Sequence, residues 1–356
     1  KNETCFCDDV VFDRYDNPES VKMFERAERQ NADVMEMCIH CPSTPLPKDW
    51  KRFLSGSKNK ALLTSFLCET WCTIAPMTLE PNQVLVLAGG FSDGKVVKAI
   101  KRTGITSLNH LFSTQEEADT RMLLHAEDAA QGTSSIVVWS PDTDVAVLCV
   151  HFVRDLNVPL WFKTGVKDKA RFIPIHSIAQ EIGTEMCQLL PGLHALTGCD
   201  STSGIFSARR VKPLKWARQT VATALPIREL GSTIEVTQEA QIASTKMICK
   251  MYDQNYNGHD VNELRYKHFC QKQSKSESLP PTADSLFLHI QRANYQCLIW
   301  RSALEAQKQI PSPVGCGWET VDGSLCPLLM TLDAAPRAFM RSEEHTSELQ
   351  SRQYLV

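Results

Sequence analysis

Six acidic residues between positions 13 and 200 have the type and order needed to hold divalent metal ions: Asp13, Glu117, Asp119, Asp142, Asp144 and Asp200. Carboxylate oxygens are ligands that Mg²⁺ and Mn²⁺ prefer, and two such ions about 3.5–4 Å apart suit the hydrolysis of a phosphodiester. One ion activates the attacking water and the other stabilises the leaving oxygen. We therefore expect two ions, Mg²⁺ or Mn²⁺, and no covalent intermediate.

Each acidic group also has a structural explanation when it is taken alone. Asp142 and Asp144 follow the apolar run Ile136–Trp139, and a Pro-Asp turn with solvated acids explains them as well as two side chains facing one cation. Glu117 completes a Thr-x-x-Glu capping box in a helix start that favours acids. Asp200 lies in a turn of small residues, where Asp is a common helix cap. Only their combination indicates a metal site.

The acids must be positioned by strands and helices that alternate along the chain. Five runs of branched or apolar residues predict strands: Asp9–Asp13, Gln83–Ala88, Ser135–Trp139, Val145–Val150 and Pro159–Lys163. Helical patterns fall at residues 18–30, 115–131 and 177–190, and the last is expected to end at Pro191-Gly192. This order predicts an α/β domain with a mainly parallel sheet, whose sites lie beyond the carboxyl ends of its strands.

The chain changes character after about residue 215, where the pattern becomes helical. We therefore divide it into a domain over residues 1–215 and a helical C-terminal region over residues 216–340. Helices are predicted at residues 232–252 and along the apolar stripe from Leu286 to Trp300, with a linker at Gln271–Pro281. Residues 341–356 resemble the translation of a sequencing-adapter oligonucleotide and are treated as a scar. A strand before Lys1 is expected to be missing.

The composition limits which binding partners and which cellular location we expect. The formal net charge of −3 gives no general attraction to polyphosphate, so a nucleic-acid partner, DNA or RNA, requires local basic patches. Candidate contacts are Arg209, Arg210, Lys212, Lys215 and Arg218, with Trp216 to stack on a base; Lys163–Arg171 is a second patch. No apolar run is long enough to span a membrane, which predicts an intracellular protein with a nuclear location left open. Oligomeric state is also left open.

The motif order resembles that of the flap-endonuclease and XPG-type 5′-nucleases of the PIN-like superfamily. The matching pieces are Phe12-Asp13, Glu117-Ala-Asp119, Ser140-Pro-Asp-Thr-Asp144 and Gly198-Cys-Asp200. The resemblance implies a PIN-like three-layer domain in which residues 18–80 form an arch-like insertion. It also implies that Glu117, Asp119 and Asp142 hold one ion, that Asp144 and Asp200 lie closer to the second, and that Asp13 serves from a neighbouring strand.

The same family carries a Lys and an Arg seven residues apart, which steer the scissile phosphate. Lys22 and Arg29 match that spacing, although a solvated basic helix face explains them too. A narrower likeness is to animal proteins, some of them derived from mobile elements, that share Glu-Glu-Ala-Asp-Thr-Arg, Ser-Pro-Asp-Thr-Asp-Val and Gly-Cys-Asp-Ser-Thr. The glycine-rich element that grips duplex DNA in the 5′-nucleases is reduced to Gly204. The alternative to a nuclease is therefore a catalytically inactive PIN-like binding or scaffold protein.

Overall fold

The computed structural model describes residues 6–15, 20–22, 24, 37–39, 41, 43–205, 211–271 and 278–332. These residues form a mixed α/β protein of two compact units. The first unit holds the described residues up to Glu181 together with Trp300–Ile310, and the second holds Ile182–Ile299 and the described residues from Pro311 onward. The boundary thus falls at residue 181, whereas the sequence predicted 215. Most of the predicted helix 18–30 and linker 271–281, and all of the adapter-like segment, lie outside the described residues.

The first unit contains two small sheets. One sheet has the strand order β1 (Phe6–Val11), β2 (Gln83–Ala88), β3 (Val97–Lys101) and β4 (Gly104–Ser107). The other has the order β5 (Ile136–Trp139), β6 (Leu160–Thr164) and β7 (Arg171–Pro174). The neighbours β1–β2 and β5–β6 are parallel, whereas β2–β3, β3–β4 and β6–β7 are antiparallel.

The prediction of a mainly parallel sheet is therefore wrong for the described strands, which form mixed sheets. The reason lies in the length of the connections. Parallel neighbours need a crossover of a dozen or more residues, and only short loops join β2 to β3, β3 to β4 and β6 to β7. Such loops force the next strand to return antiparallel.

Helices cover both faces of the first sheet. The long helix α2 (Ser57–Thr78), which follows α1 (Trp50–Ser55), packs Cys68 and Ala75 against Leu87 of β2. On the opposite face α3 (Ala118–Ala130) packs Leu124 against Val86. Because successive side chains of a strand point to opposite faces, the single apolar run of β2 supplies both cores.

The predicted strand Val145–Val150 is wrong, because these residues lie inside helix α4 (Thr143–Leu156). The helix buries Val145, Leu148, Cys149, Phe152, Val153 and Leu156 at helical spacing. The predicted span Val145–Val150 is too short to show this spacing and is apolar throughout. A short continuous apolar run of this kind cannot be assigned to strand or helix by its period. The helix packs against β6 and begins where Asp142 accepts a hydrogen bond at its start.

Helix α5 (Ile175–Thr197) contains the predicted helix 177–190, but it does not end at Pro191-Gly192. Pro191 lies inside the helix, and the following Leu193, Ala195 and Leu196 are buried. We attribute the continuation to this burial, which offsets the hydrogen bond that proline cannot donate. The backbone is instead non-helical at Gly183, where φ is 81°.

The second unit continues with helices α6 to α10 and one hairpin. The helices are α6 (Val211–Gln219), α7 (Val221–Ala224), α8 (Gln238–Tyr252), α9 (Val261–Gln271) and α10 (Ala283–Arg301). Strands β8 (Trp318–Val321) and β9 (Ser324–Pro327) pair antiparallel. Helix α8 begins six residues later than predicted, because the Thr237 side chain caps it by accepting from the Ala240 N–H at 3.2 Å. Among the helices described, none is both long and apolar enough to cross a bilayer.

Candidate metal centre

Asp13 is held at the start of helix α3 by the backbone on both sides of it. The Phe12 N–H donates to the Ala88 carbonyl at 2.9 Å, and the Arg14 N–H donates to the Glu116 carbonyl at 2.9 Å. The Asp13 Oδ1 atom then accepts from the Ala118 N–H at 2.8 Å, which satisfies a free N–H group of the first helical turn. A carboxylate from the end of β1 therefore caps α3.

This cap replaces the capping box that the sequence suggested for Glu117. Glu117 is the residue at the N-cap position, but its side chain makes no capping hydrogen bond. The Thr114 hydroxyl is used elsewhere, because its Oγ1 accepts from the Lys308 N–H at 2.8 Å. The capping-box explanation of the Glu117 side chain is thus removed.

Glu117 and Asp119 lie on either side of one ammonium group. The Lys22 Nζ atom is 3.5 Å from Glu117 Oε2 and 3.3 Å from Asp119 Oδ2. All three side chains are largely buried, with exposed fractions of 9% for Lys22, 5% for Glu117 and 16% for Asp119. The Glu117 Oε2 atom has no hydrogen-bond partner among the described residues. A buried carboxylate oxygen without a donor is costly unless a cation compensates it.

The electrostatics of these carboxyl groups show that further acids are close. Burial raises the pKa of Asp119 to about 7; Lys22 opposes this change, and the charges of Glu117, Asp13 and Asp142 reinforce it. Burial likewise raises the pKa of Glu117, against the field of Lys22 and with repulsion from Glu116 and Asp13. The charges of Asp13, Glu117 and Asp142 thus act on Asp119, and we call these four residues the acid cluster.

Asp142 and Asp144 take different conformations from those that the sequence suggested. Asp142 follows β5 in an extended conformation and caps helix α4, since its Oδ1 accepts from the Asp144 N–H at 2.9 Å. The Ser140 hydroxyl in turn accepts from the Asp142 N–H at 3.0 Å. Asp144 is buried in the first helical turn, so the two acids are not neighbours on one face of a strand. The expectation of two extended side chains on one side is wrong, because the helix begins between them.

The four residues of the acid cluster all belong to the first unit. Asp200 belongs to the second unit, in a tight turn closed by hydrogen bonds between the Cys199 and Thr202 backbones at 3.2 and 3.3 Å. Gly198 is required there, since its φ is 116° and a Cβ would lie 2.7 Å from the Gly204 Cα. Arg29 lies outside the described residues, so its proposed partnership with Lys22 stays a prediction.

A second cation reaches the acid cluster from a part of the chain that the motifs did not indicate. Residues 303–308 run along the segment before α3, where the Gln115 Nε2 atom donates to the Ala303 and Glu305 carbonyls at 2.8 and 2.9 Å. This contact brings Lys308 close to Glu117. Burial lowers the pKa of Lys308 to about 8, and Glu117 opposes that change. No local pattern signals this lysine, because its neighbourhood forms only by long-range contact.

Other residues of the Gln-Glu-Glu-Ala-Asp-Thr-Arg motif build the frame. Arg121 is fully buried and donates to the Gly94 carbonyl at 2.7 Å and to the Lys95 carbonyl at 3.0 Å. His125 places its Nδ1 2.6 Å from the Asp9 Oδ2 and thereby ties α3 to β1. These contacts fix the helix whose first turn carries Glu117 and Asp119.

The predicted basic patch on α6 is only partly as expected. Lys215 and Arg218 are exposed, and Lys212 is half-buried. Trp216 is only 9% exposed, so the prediction that its ring stacks on a base is wrong in this structure: helix α6 turns it into the protein. Arg209 and Arg210 fall in the gap between residues 205 and 211 and stay predictions.

A groove of about 630 Å³ lies away from the acid cluster. Its lining includes Arg154, Asn157 and His176, close to the amino end of β6. The Arg154 guanidinium donates to the Ala179 carbonyl at 3.3 Å, and His176 Nδ1 lies 2.9 Å from the Leu160 carbonyl oxygen. The polar groups of this groove are thus engaged by the backbone, and the groove gives no support to a hydrolytic site.

Within the described part of the chain, no group of three or more His, Cys, Asp or Glu residues has the arrangement of a metal site. The geometry gives the reason: Asp13 and Asp142 are engaged as helix caps, and Lys22 lies between Glu117 and Asp119. Lys22 is the cation that the described structure places beside Glu117 Oε2, at 3.5 Å, and the donors of the acid cluster are carboxylate oxygens, which hard divalent cations prefer. Comparison with protein-family models, curated proteins and solved structures finds no match for this chain.

Proposed function

We propose that the protein hydrolyses phosphodiester bonds of nucleic acid in a reaction that depends on divalent metal ions, in the manner of flap endonucleases. What supports this proposal is the pair Glu117 and Asp119 on either side of one buried ammonium group, with the charges of Asp13 and Asp142 acting on Asp119. Carboxylates that repel one another in a buried setting are relieved by a hard divalent cation. The PIN-like three-layer architecture, the helical C-terminal region and a nuclear location belong to the same proposal.

The proposal assigns Asp13, Glu117, Asp119 and Asp142 to the ligand set. When bound, Mg²⁺ or Mn²⁺ supplies a water of lowered pKa and neutralises charge that develops on phosphate oxygens. The residues of this chain hold that site in place: Asp13 and Asp142 fix two helix starts, and Lys22 offers an ammonium group to a phosphate oxygen. The assignment of Asp144 and Asp200 to a second ion rests on the family resemblance alone.

Cleavage assays test this proposal directly. Flap, single-stranded and duplex DNA and RNA are incubated with the protein and Mg²⁺ or Mn²⁺, and Asp119→Asn and Asp142→Asn are compared with the exposed control Asp155→Asn. We expect cleavage that each of the first two substitutions reduces by about 100-fold or more, since each removes a metal ligand. Cleavage that is absent with every substrate, or unchanged in Asp142→Asn, would rule out the proposed reaction.

The second candidate function is a metal-free scaffold or binding module, and one observation favours it. Lys22 already neutralises part of the acid cluster through its contacts at 3.3 and 3.5 Å, so the cluster has an internal cation. In that case the buried charges are structural, and breaking such a pair costs about 3–5 kcal/mol. No reaction is then expected.

Lys22→Met separates the two functions, because methionine keeps much of the side-chain volume and removes the charge. For a nuclease we expect Mn²⁺ to bind at least as tightly as in the wild type, since a competing cation is gone, while cleavage falls. For a scaffold we expect lower stability and no Mn²⁺ binding by calorimetry. Lys215→Met on the exposed face of α6 is the control for loss of a lysine.

A further inference from the structure

The second sheet carries an exposed row of aromatic side chains on one face. The strand registers place Trp139, Lys163 and Phe172 side by side across β5, β6 and β7. Trp139 is 60% exposed and Phe172 is 56% exposed, although both lie within regular strands. The opposite face is buried, with Ile136, Val138 and Phe162 in the core. We call the row of three residues the aromatic platform.

A cation lies between the two rings of the platform. The Lys163 Nζ atom is 3.8 Å from the centre of the Trp139 ring and 5.7 Å from the centre of the Phe172 ring. Its position confirms that the three side chains share one face. An ammonium group at this distance is attracted by the ring face and stays available to an anion that approaches from solvent.

The surroundings of the platform are basic. The loop that joins β6 to β7 exposes Lys167 and Lys169, against the single acid Asp168, and Arg171 is exposed at the start of β7. Exposed rings beside several cations match the way proteins bind single-stranded nucleic acid, where bases stack on aromatic side chains and phosphates meet Lys and Arg. Paired bases are stacked within a duplex and offer no free face to such rings.

The platform also adjoins the acid cluster. Trp139 is the last residue of β5, and Asp142 follows it three positions later at the start of α4. Three residues span at most about 11 Å of chain, so a base on Trp139 lies within a few nucleotides of Asp142.

We propose that the aromatic platform binds single-stranded nucleic acid, with unpaired bases stacked on Trp139 and Phe172 and a phosphate drawn to Lys163. This inference deepens the proposed function, because it names the substrate as single-stranded and gives its path past the acid cluster. Binding nevertheless needs no catalysis and is measured separately.

The test is fluorescence anisotropy of the full chain with labelled oligo-dT, oligo-U and a duplex of equal length, in EDTA at low salt. We expect single strands to bind more tightly than the duplex. Trp139→Ala and Phe172→Ala should each weaken single-strand binding by about 5- to 150-fold, the range found when one stacked base is lost. Trp139→Phe should retain much of the affinity, because a ring remains.

Two controls separate the platform from general effects of exposed aromatics and charge. Phe269→Ala removes a ring that is 67% exposed on α9 and should leave the affinity unchanged. Lys163→Met should reduce the salt dependence of binding by about 0.7 in the slope of log K against log salt, which corresponds to one phosphate contact. Circular dichroism checks that the exposed substitutions leave the fold intact.

Equal affinity of the wild type, Trp139→Ala and Phe172→Ala for single strands would overturn the proposal that the platform binds them. Tighter binding of the duplex would overturn it as well, and so would a loss of affinity in Phe269→Ala alone. These results are distinguishable from failure of the proposed function. If binding depends on the platform but no cleavage depends on Asp142, the proposed nuclease activity is contradicted and the proposed binding surface is supported. If cleavage depends on Asp142 but is unchanged in Trp139→Ala and Phe172→Ala, the proposed binding surface is contradicted and the proposed nuclease activity is supported.

Discussion

Asp119→Asn should stabilise the metal-free protein at neutral and higher pH, contrary to the usual effect of removing a buried ion pair. The pKa of this carboxyl is raised from 3.8 to about 7, chiefly by burial, and the Lys22 contact at 3.3 Å does not offset the burial and repulsion. This difference between the folded-state pKa and the ordinary pKa, at 1.36 kcal/mol per pH unit, corresponds to about 4 kcal/mol of lost folding stability above pH 7.

The sign follows from proton binding. Between pH 4 and 7 the unfolded chain has released the Asp119 proton while the folded chain keeps it, so stability falls as pH rises through this window. Below about pH 4 both states are protonated and the cost is absent. Asparagine carries no charge at any pH, so the wild type and the variant should be similar at pH 4 and diverge toward pH 8, where the variant is more stable.

Urea denaturation in EDTA at several pH values from 4 to 8 measures this difference, with Asp168→Asn as an exposed control that should stay within about 0.5 kcal/mol of the wild type. Adding Mn²⁺ should stabilise the wild type by about 2.7 kcal/mol at a concentration 100 times the Kd, and Asp119→Asn by less. If Asp119→Asn is less stable than the wild type at pH 8 in EDTA, the Lys22 pair outweighs burial and the reasoning fails.

Three substitutions test the frame that holds the site, each by urea denaturation at pH 7. Arg121→Met should destabilise by about 3 kcal/mol or more, because two backbone carbonyls lose a charged donor. Gly89→Ala should destabilise severely, since φ is 88° and a Cβ would lie 2.2 Å from the Phe12 carbonyl oxygen. Gly132→Ala is its matched control and should change stability little, because the space around a Cβ is open there; equal effects of the two would refute the strain argument.

Local sequence pattern predicted the elements whose signals lie within a few residues. β2 was predicted at Gln83–Ala88 and forms there; β5 begins one residue later than predicted, and β6 is shifted by one residue at both ends. The hairpin of β3 and β4 was missed, because a short run such as Val97–Lys101 carries mixed polarity and only Gly104 marks the turn. The buried helix α4 was mistaken for a strand because the predicted span Val145–Val150 is a continuous apolar run, and the helical spacing shows only when the sequence is followed to Leu156.

In the candidate site, too, local pattern indicated some features and missed those that depend on long-range contacts. Motif order singled out Asp13, Glu117, Asp119 and Asp142, and the charges of the other three act on Asp119 in the structure; their role as metal ligands stays a prediction. Pattern could not show that Lys22 lies among them as an ion-pair partner, or that Lys308 arrives from residues 303–308. Both depend on contacts between distant segments, and burial of Trp216 depends on which face of α6 packs inward.

The last prediction separates the two roles of Asp13, which the structure combines in one carboxylate. Its Oδ1 atom caps α3 by accepting from the Ala118 N–H at 2.8 Å, and its charge contributes to the raised pKa of Asp119. Asp13→Asn keeps an oxygen acceptor and removes the charge, whereas Asp13→Ala removes both. Loss of the cap should cost about 0.5–2 kcal/mol in Asp13→Ala, while Asp13→Asn should stay within a few tenths of the wild type.

Both variants should bind Mn²⁺ more weakly than the wild type by calorimetry, because both lack the negative charge. The acid cluster would then be a metal site in which one ligand also organises the helix that carries the others. If Asp13→Asn binds Mn²⁺ as the wild type does and only Asp13→Ala is impaired, Asp13 is a capping residue alone. The ligand set would then shrink to Glu117, Asp119 and Asp142, of which the cleavage assay tests Asp119 and Asp142 separately.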